Sequence, residues 1–230
     1  MRLALRCLPL QSLSRMVRGL WCLLTLLWVP TVAFAQTTVS GVDRMIESLV
    51  STQTLTADFV QTTRAKSTAV RSASGSFWLA KPGLLRWEVT KPYPQVQVLN
   101  SKEFWIFDPE LSQAMVRPVT AANLTGLAGL LLSTNTLTRE ELSARYTFAE
   151  LPARDQLAWV RVVPRQPEPA LTQLLVGMDA DGLLSRFEIT DGLGQVTQIT
   201  LSRVMKNISI DNSRFQFSPP AGVNVLRTAK

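Results

Sequence analysis

Between residues 75 and 108 the chain reads GSFWLAKPGLLRWEVTKPYPQVQVLNSKEFWIFD. Apolar runs at 77–80, 84–89 and 96–108 are separated by the turn signals KPG and KPYP, and the last run is broken by NSK at 100–102. The runs have the length of strands and are rich in aromatic and β-branched residues. In 84–90, Leu85, Trp87 and Val89 alternate with Arg86, Glu88 and Thr90, the pattern of a sheet with one dry and one wet face. In 95–99, Val96 and Val98 alternate with glutamines. Residues 103–108 (EFWIFD) are apolar on both sides, which predicts a strand covered on both faces.

The same patterns organise the rest of the chain. In 40–51, Val42, Met45, Ile46, Leu49 and Val50 recur along one helical face, with Ser40 as a cap and Asp43 three residues on. Residues 55–63 and 70–80 predict strands, and Gly75 inside the second predicts a bulge or bend. Residues 111–118 predict another strand. At 121–132 the period changes: Leu124, Leu127 and Leu130 recur among Gly126 and Gly129, a short helix weakened by internal glycine. Residues 138–144 predict a second short helix, with Thr138 and Glu141 as a capping box. Strands at 146–151, 157–163, 172–178, 183–190 and 196–205, joined by turns that include DADG and DGLG, predict antiparallel hairpins. The resulting expectation is a mainly β (α+β) single domain. It is one large antiparallel sheet of about eleven strands, curved into an unclosed half-barrel with helices on its concave side.

Composition changes this picture at the N-terminus. Residues 1–19 hold Arg2, Arg6, Arg15 and Arg18 and no acid, residues 20–29 are an apolar run, and Ala33-Phe34-Ala35 follows Pro30. That is the plan of a secretory signal peptide spanning 1–35, cut after Ala35, with a soluble periplasmic domain at 36–230. Both cysteines, Cys7 and Cys22, leave with it. The four arginines account for four of the 24 basic residues, so 20 remain against 17 acidic ones and the net charge falls from +7 to +3. Nucleic-acid binding is therefore not inferred from the basic precursor. Without histidine or a retained cysteine, a Ser-His-Asp triad, a thiolate nucleophile and a zinc site of the usual kind are excluded. Asp179 and Asp181 in MDADG lack the glutamate that ends a calcium-binding loop and read as a hairpin turn. No catalytic set, metal or cofactor is expected, and carboxylate pairs such as Asp58 and Glu88 have no distinguishing spacing.

A sheet this wide has more apolar face than three small helices seal, which leaves a cavity. Its expected lining is Phe59, Trp78, Leu85, Trp87, Val89, Phe104, Trp105 and Phe107. The helix at 40–51 reads equally as a core helix or as a lid. Four segments then carry a resemblance: LTADFVQ from Leu55, GSFWLAKPGLLRWE from Gly75, FWIFDPELSQ from Phe104 and FQFSPPAGV from Phe215. Together they resemble the periplasmic outer-membrane lipoprotein carrier (LolA) family over nearly all of 36–230. The resemblance implies a carrier that binds lipoprotein acyl chains in its cavity, acting as a monomer. It implies two partners, an inner-membrane ABC-type lipoprotein release complex and an outer-membrane receptor lipoprotein. It implies a lid, assigned here to Met45, Ile46, Leu49, Leu124, Leu127 and Leu130. In the family an arginine before the signature proline helps hold the lid shut. Lys81 stands there in this chain, without arginine's planar fork, and Arg86 is a nearby candidate to share the role. The alternative reading is a periplasmic lipid-binding or lipoprotein-sensing domain of the same fold in envelope-stress signalling.

Overall fold

A computed structural model describes residues 39–65, 69–119, 126–132 and 138–228. Helix α1 spans Gly41–Ser51, and strands β1 to β6 span Thr54–Arg64, Arg71–Ala80, Leu84–Lys91, Gln95–Leu99, Glu103–Asp108 and Gln113–Pro118. Helices α2 (Gly126–Leu132) and α3 (Arg139–Arg145) follow. Strands β7 to β11 span Tyr146–Arg154, Leu157–Pro164, Gln173–Met178, Leu184–Thr190 and Val196–Lys206, and β12 spans Asn224–Arg227.

All twelve strands form one sheet, in the order β12-β6-β5-β4-β3-β2-β1-β11-β10-β9-β8-β7. The two ends of that order do not pair, so the half-barrel is unclosed. Neighbouring strands are antiparallel except β12, which lies parallel to β6. This twelfth strand corrects the expected count of about eleven. It is four residues long, and no hairpin turn links it to its neighbour.

Local chemistry explains the frame. Ser40 caps α1 by accepting from the Asp43 amide, and Thr138 and Glu141 close the predicted capping box of α3. Gly75 sits where the β2–β3 register shifts, and a Cβ there would lie 1.8 Å from the Glu88 carbonyl oxygen. Gly83 turns β2 into β3 with φ +67°, a conformation natural to glycine. The MDADG segment is a turn in which Asp179 accepts from the Asp181 and Leu183 amides.

The core divides between the two faces of the sheet. The main cluster joins α1 (Met45, Ile46, Leu49) to Leu55, Ala57 and Phe59 of β1, Phe77 and Leu79 of β2, and the inner side chains of β8–β11. On the outer face a second cluster gathers Val98, Trp105, Ala114 and Val116, with Val96, Phe107, Phe217, Val223 and Val225 packed against it. The double covering expected of EFWIFD is therefore present. Phe104 packs against the main cluster, while Trp105 and Phe107 meet Phe217 from the C-terminal segment at 5.4 Å each.

Candidate functional site

The inner face carries an apolar hollow of about 240 Å³. Its walls are Phe77 and Leu79 of β2, Leu85 and Trp87 of β3, Phe187 of β10, and Ile199 and Leu201 of β11. Cross-strand pairing aligns them, with Phe77 opposite Trp87, Leu79 opposite Leu85, and Phe187 opposite Ile199. Leu127, Leu131 and Leu132 of α2 close it from the side away from the sheet. Two polar side chains interrupt the lining. Gln61 lies 3.4 Å from the Thr63 hydroxyl, and Gln97 donates to Gln95 at 2.8 Å.

Period-2 geometry sorts the expected lining. Leu85 and Trp87 line the hollow. Phe59 is 1% exposed and lies against the Trp87 ring, with centroids 3.9 Å apart. Val89 and Phe104 are half-buried against the same cluster. Trp78, Trp105 and Phe107 face the other way. Trp78 alternates with the inward Phe77 and Leu79, and the Arg214 guanidinium covers its ring at 4.5 Å. Trp105 carries Arg227 at 5.7 Å. The sequence reading missed Phe77, Leu79, Leu131, Leu132, Phe187, Ile199 and Leu201, and the two glutamines. Phe187, Ile199 and Leu201 arrive through the β1–β11 pairing across more than a hundred residues, which no local pattern encodes.

Over the main cluster lies α1, packed on β7 and β8. Met45, Ile46 and Leu49 point into the core, and Leu130 of α2 is buried in it. Leu124 lies outside the described residues. Polar ties hold both ends of α1. At the C-terminal end the Lys81 ammonium donates to the Leu49 carbonyl at 2.6 Å, one of the carbonyls a helix end leaves without a partner. Burial pushes the Lys81 pKa down. Asn207 adds a donor to Ser51 O at 3.0 Å and accepts from Gln53 N at 2.8 Å. At the N-terminal end the Glu150 carboxylate of β7 accepts from the Val42 amide at 3.3 Å, and Asp43 pairs with Arg139 of α3. Hydrogen bonds from Val42, Ser40 and Gly41 hold the Glu150 pKa below its ordinary value.

Arg86 does not reach α1. It alternates with Leu85 and Trp87, so it leaves the outer face, where it pairs with Glu88 and donates to Arg214 O at 3.3 Å. Of the two expected latch residues, Lys81 alone lies at the helix. Among the described residues, no cluster of His, Cys, Asp and Glu is placed to hold a metal ion, and no helix is long and apolar enough to cross a membrane.

An unclosed sheet, an apolar hollow on its inner face and a short helix tied down over the core define a class of lidded half-barrels. The sequence model of the family described as outer membrane lipoprotein carrier protein LolA matches residues 50–218. An outer-membrane lipoprotein carrier protein from Dechloromonas aromatica is 33% identical over 187 residues, covering 81% of this chain and 87% of its own. One from Nitrosospira multiformis is 33% identical over 195 residues, covering 84% and 92%. Among solved structures, an uncharacterized conserved protein from Thermus thermophilus shares the fold, with a TM-score of 0.50 and 16% identity over 82% of this chain and 97% of its own. The chain belongs to the LolA family of outer-membrane lipoprotein carriers.

Proposed function

We propose that the chain carries lipoproteins by sheltering their acyl chains beneath α1 and α2. The observation that carries this reading is the apolar hollow, flanked by α2, in a member of a family whose relatives are named for lipoprotein carriage. The alternative sensing role gains no support from those relatives. The physical need is large. A triacylated lipoprotein carries roughly 40 methylenes, and exposing them at ~0.8 kcal/mol each costs about 30 kcal/mol. Free diffusion of such a molecule through water is excluded, so it must be handed over sheltered.

The hollow, at about 240 Å³, lies below the roughly 300–1,000 Å³ of sites for drug-sized ligands. The hollow as described is too small for several acyl chains, and loading requires the helices to move. Met45, Ile46, Leu49 and Leu130 fill the space that acyl chains take. Each buried side chain is worth roughly 1.5–3 kcal/mol. Their displacement lowers net affinity and lets cargo leave again. Lys81 restrains α1 with a charge-assisted hydrogen bond, partly offset by desolvation of its ammonium.

In this reading residues 1–35 are a cleaved signal peptide and the carrier works in the periplasm. It receives cargo from an inner-membrane ABC-type release complex and delivers it to an outer-membrane receptor lipoprotein. The test is a release assay, in which spheroplasts holding a labelled lipoprotein are incubated with purified residues 36–230. A soluble one-to-one complex is expected. Leu85→Glu, which places a carboxylate in the half-exposed wall, is expected to reduce that complex at least about tenfold with the circular dichroism spectrum retained. Release by a folded Leu85→Glu protein at the unmodified level would remove the hollow from the account.

A further inference from the structure

The ties on α1 differ in kind between its two ends. The C-terminal end is joined to β1 through only Thr52 and Gln53. There Thr52 Oγ1 donates to Ser48 O at 2.6 Å, Lys81 to Leu49 O at 2.6 Å, and Asn207 bonds both Gln53 N and Ser51 O. Asn207 is itself fixed, since its own amide donates to Thr54 O at 2.8 Å. The deeply buried side chains Met45, Ile46 and Leu49 begin one turn into the helix, at its fifth residue, so the first turn contributes none of them. The first turn has a different footing. It follows the cap Ser40 and, before that, Val39, which is 59% exposed, and its one apolar contact is the half-buried Val42. What holds it is electrostatic and open to water, namely Glu150 to the Val42 amide and Arg139 to Asp43, with Arg44 adding a favourable charge near Glu150.

A helix fixed in this way has one direction of easy motion. Pulling away the C-terminal end breaks several hydrogen bonds at once and strains a two-residue connection. Lifting the N-terminal end breaks only the solvent-exposed ties to Glu150 and the Arg139–Asp43 pair, and exposed pairs hold weakly. We propose that the lid opens from its N-terminal end, with Glu150 and the Arg139–Asp43 pair as the catch and the Lys81–Asn207 end as the pivot. This rests on the carrier reading in that it needs a lid that moves. It makes Glu150, Asp43 and Arg139 positioning residues for loading, none of them touching cargo.

A reversible staple tests it. The Cβ direction of Gly41 points at the Glu150 side chain, with an ideal Cβ 3.8 Å from Glu150 Cγ, so Gly41→Cys with Glu150→Cys joins the catch by a disulfide. Residues 36–230 contain no cysteine, so the bond is unique. Uptake is followed with an apolar dye that brightens out of water and, separately, with a synthetic triacylated peptide. The oxidised double variant is expected to lose uptake of both, at least tenfold in rate, and reduction is expected to restore it. Glu150→Gln alone, which weakens the catch, is expected to load dye about five-fold faster than the unmodified protein. Dye uptake by the oxidised variant at the reduced rate would overturn the proposal and leave the carrier reading intact. If the pair does not oxidise, Glu150→Gln decides, an unchanged rate overturning the proposal. Dye uptake that follows the staple, with no form binding the acylated peptide, would support the swinging lid and overturn the carrier reading.

Discussion

At the residue scale, α1 is held by single polar groups whose ionisation matters. Glu150 is the clearest, because its carboxylate is the acceptor for the first turn and its pKa lies below the ordinary 4.5. The charged group acting on it is Arg44 of the same turn, while Asp43 of that turn is paired with Arg139 of α3. A carboxylate with a lowered folded-state pKa stabilises the fold fully above its unfolded value. The contribution is lost as pH falls through the lowered value. The Val42 amide proton is therefore expected to titrate in an NMR pH series with a midpoint below 4.5, and Glu150→Gln is expected to abolish that transition. A midpoint at or above 4.5 would contradict the assigned hydrogen bond. Lys81 has the opposite sign. Burial lowers its pKa, so it resists holding its proton in the folded state, and the cost of its charge falls away as pH rises through that lowered value. A restraint of this kind holds the lid without sealing it.

At the element scale, strand pairing depends on a few backbone positions. Gly75 lets β2 and β3 approach where their register shifts, and the atom a side chain would strike is a carbonyl oxygen of the backbone, which cannot rotate away. Gly75→Ala is expected to destabilise the protein by about 3 kcal/mol in urea unfolding, with a lowered midpoint and an unchanged slope. A shift under about 0.5 kcal/mol would mean that the strands separate freely there. The elements themselves were legible in the sequence. Residues 95–99 and 103–108 have the bounds that alternation and turn signals predict, and the capping of α1 and α3 followed from Ser40, Thr138 and Glu141. Which face of a strand points inward was not legible. Alternation separates Phe77 from Trp78 and Phe104 from Trp105, but both members of each pair are aromatic, and only the full sheet order decides which is inside. Strand β12 was hidden for another reason. Its parallel partner β6 lies over a hundred residues upstream, and Phe217, Val223 and Val225 fix its place through packing, which leaves no periodic signature.

At the scale of the whole molecule, the sheet separates two apolar regions with different work. The outer cluster is covered by the chain's own C-terminal segment. Arginines lie over the outer aromatic rings as well, Arg214 on Trp78, Arg227 on Trp105 and Arg154 on Trp159, contacts worth about 0.5–1 kcal/mol each at exposed sites. The inner region is covered by helices tied through polar contacts, and Trp87 alone of the described tryptophans lines its hollow. That asymmetry offers the most direct test of the central claim, that acyl chains occupy the inner hollow. A triacylated lipopeptide with brominated acyl chains is bound to residues 36–230, and tryptophan fluorescence is recorded, bromine quenching only rings it touches. The account predicts strong quenching that disappears in Trp87→Phe while binding persists. Quenching undiminished in Trp87→Phe would place the chains against the outer tryptophans and contradict the account.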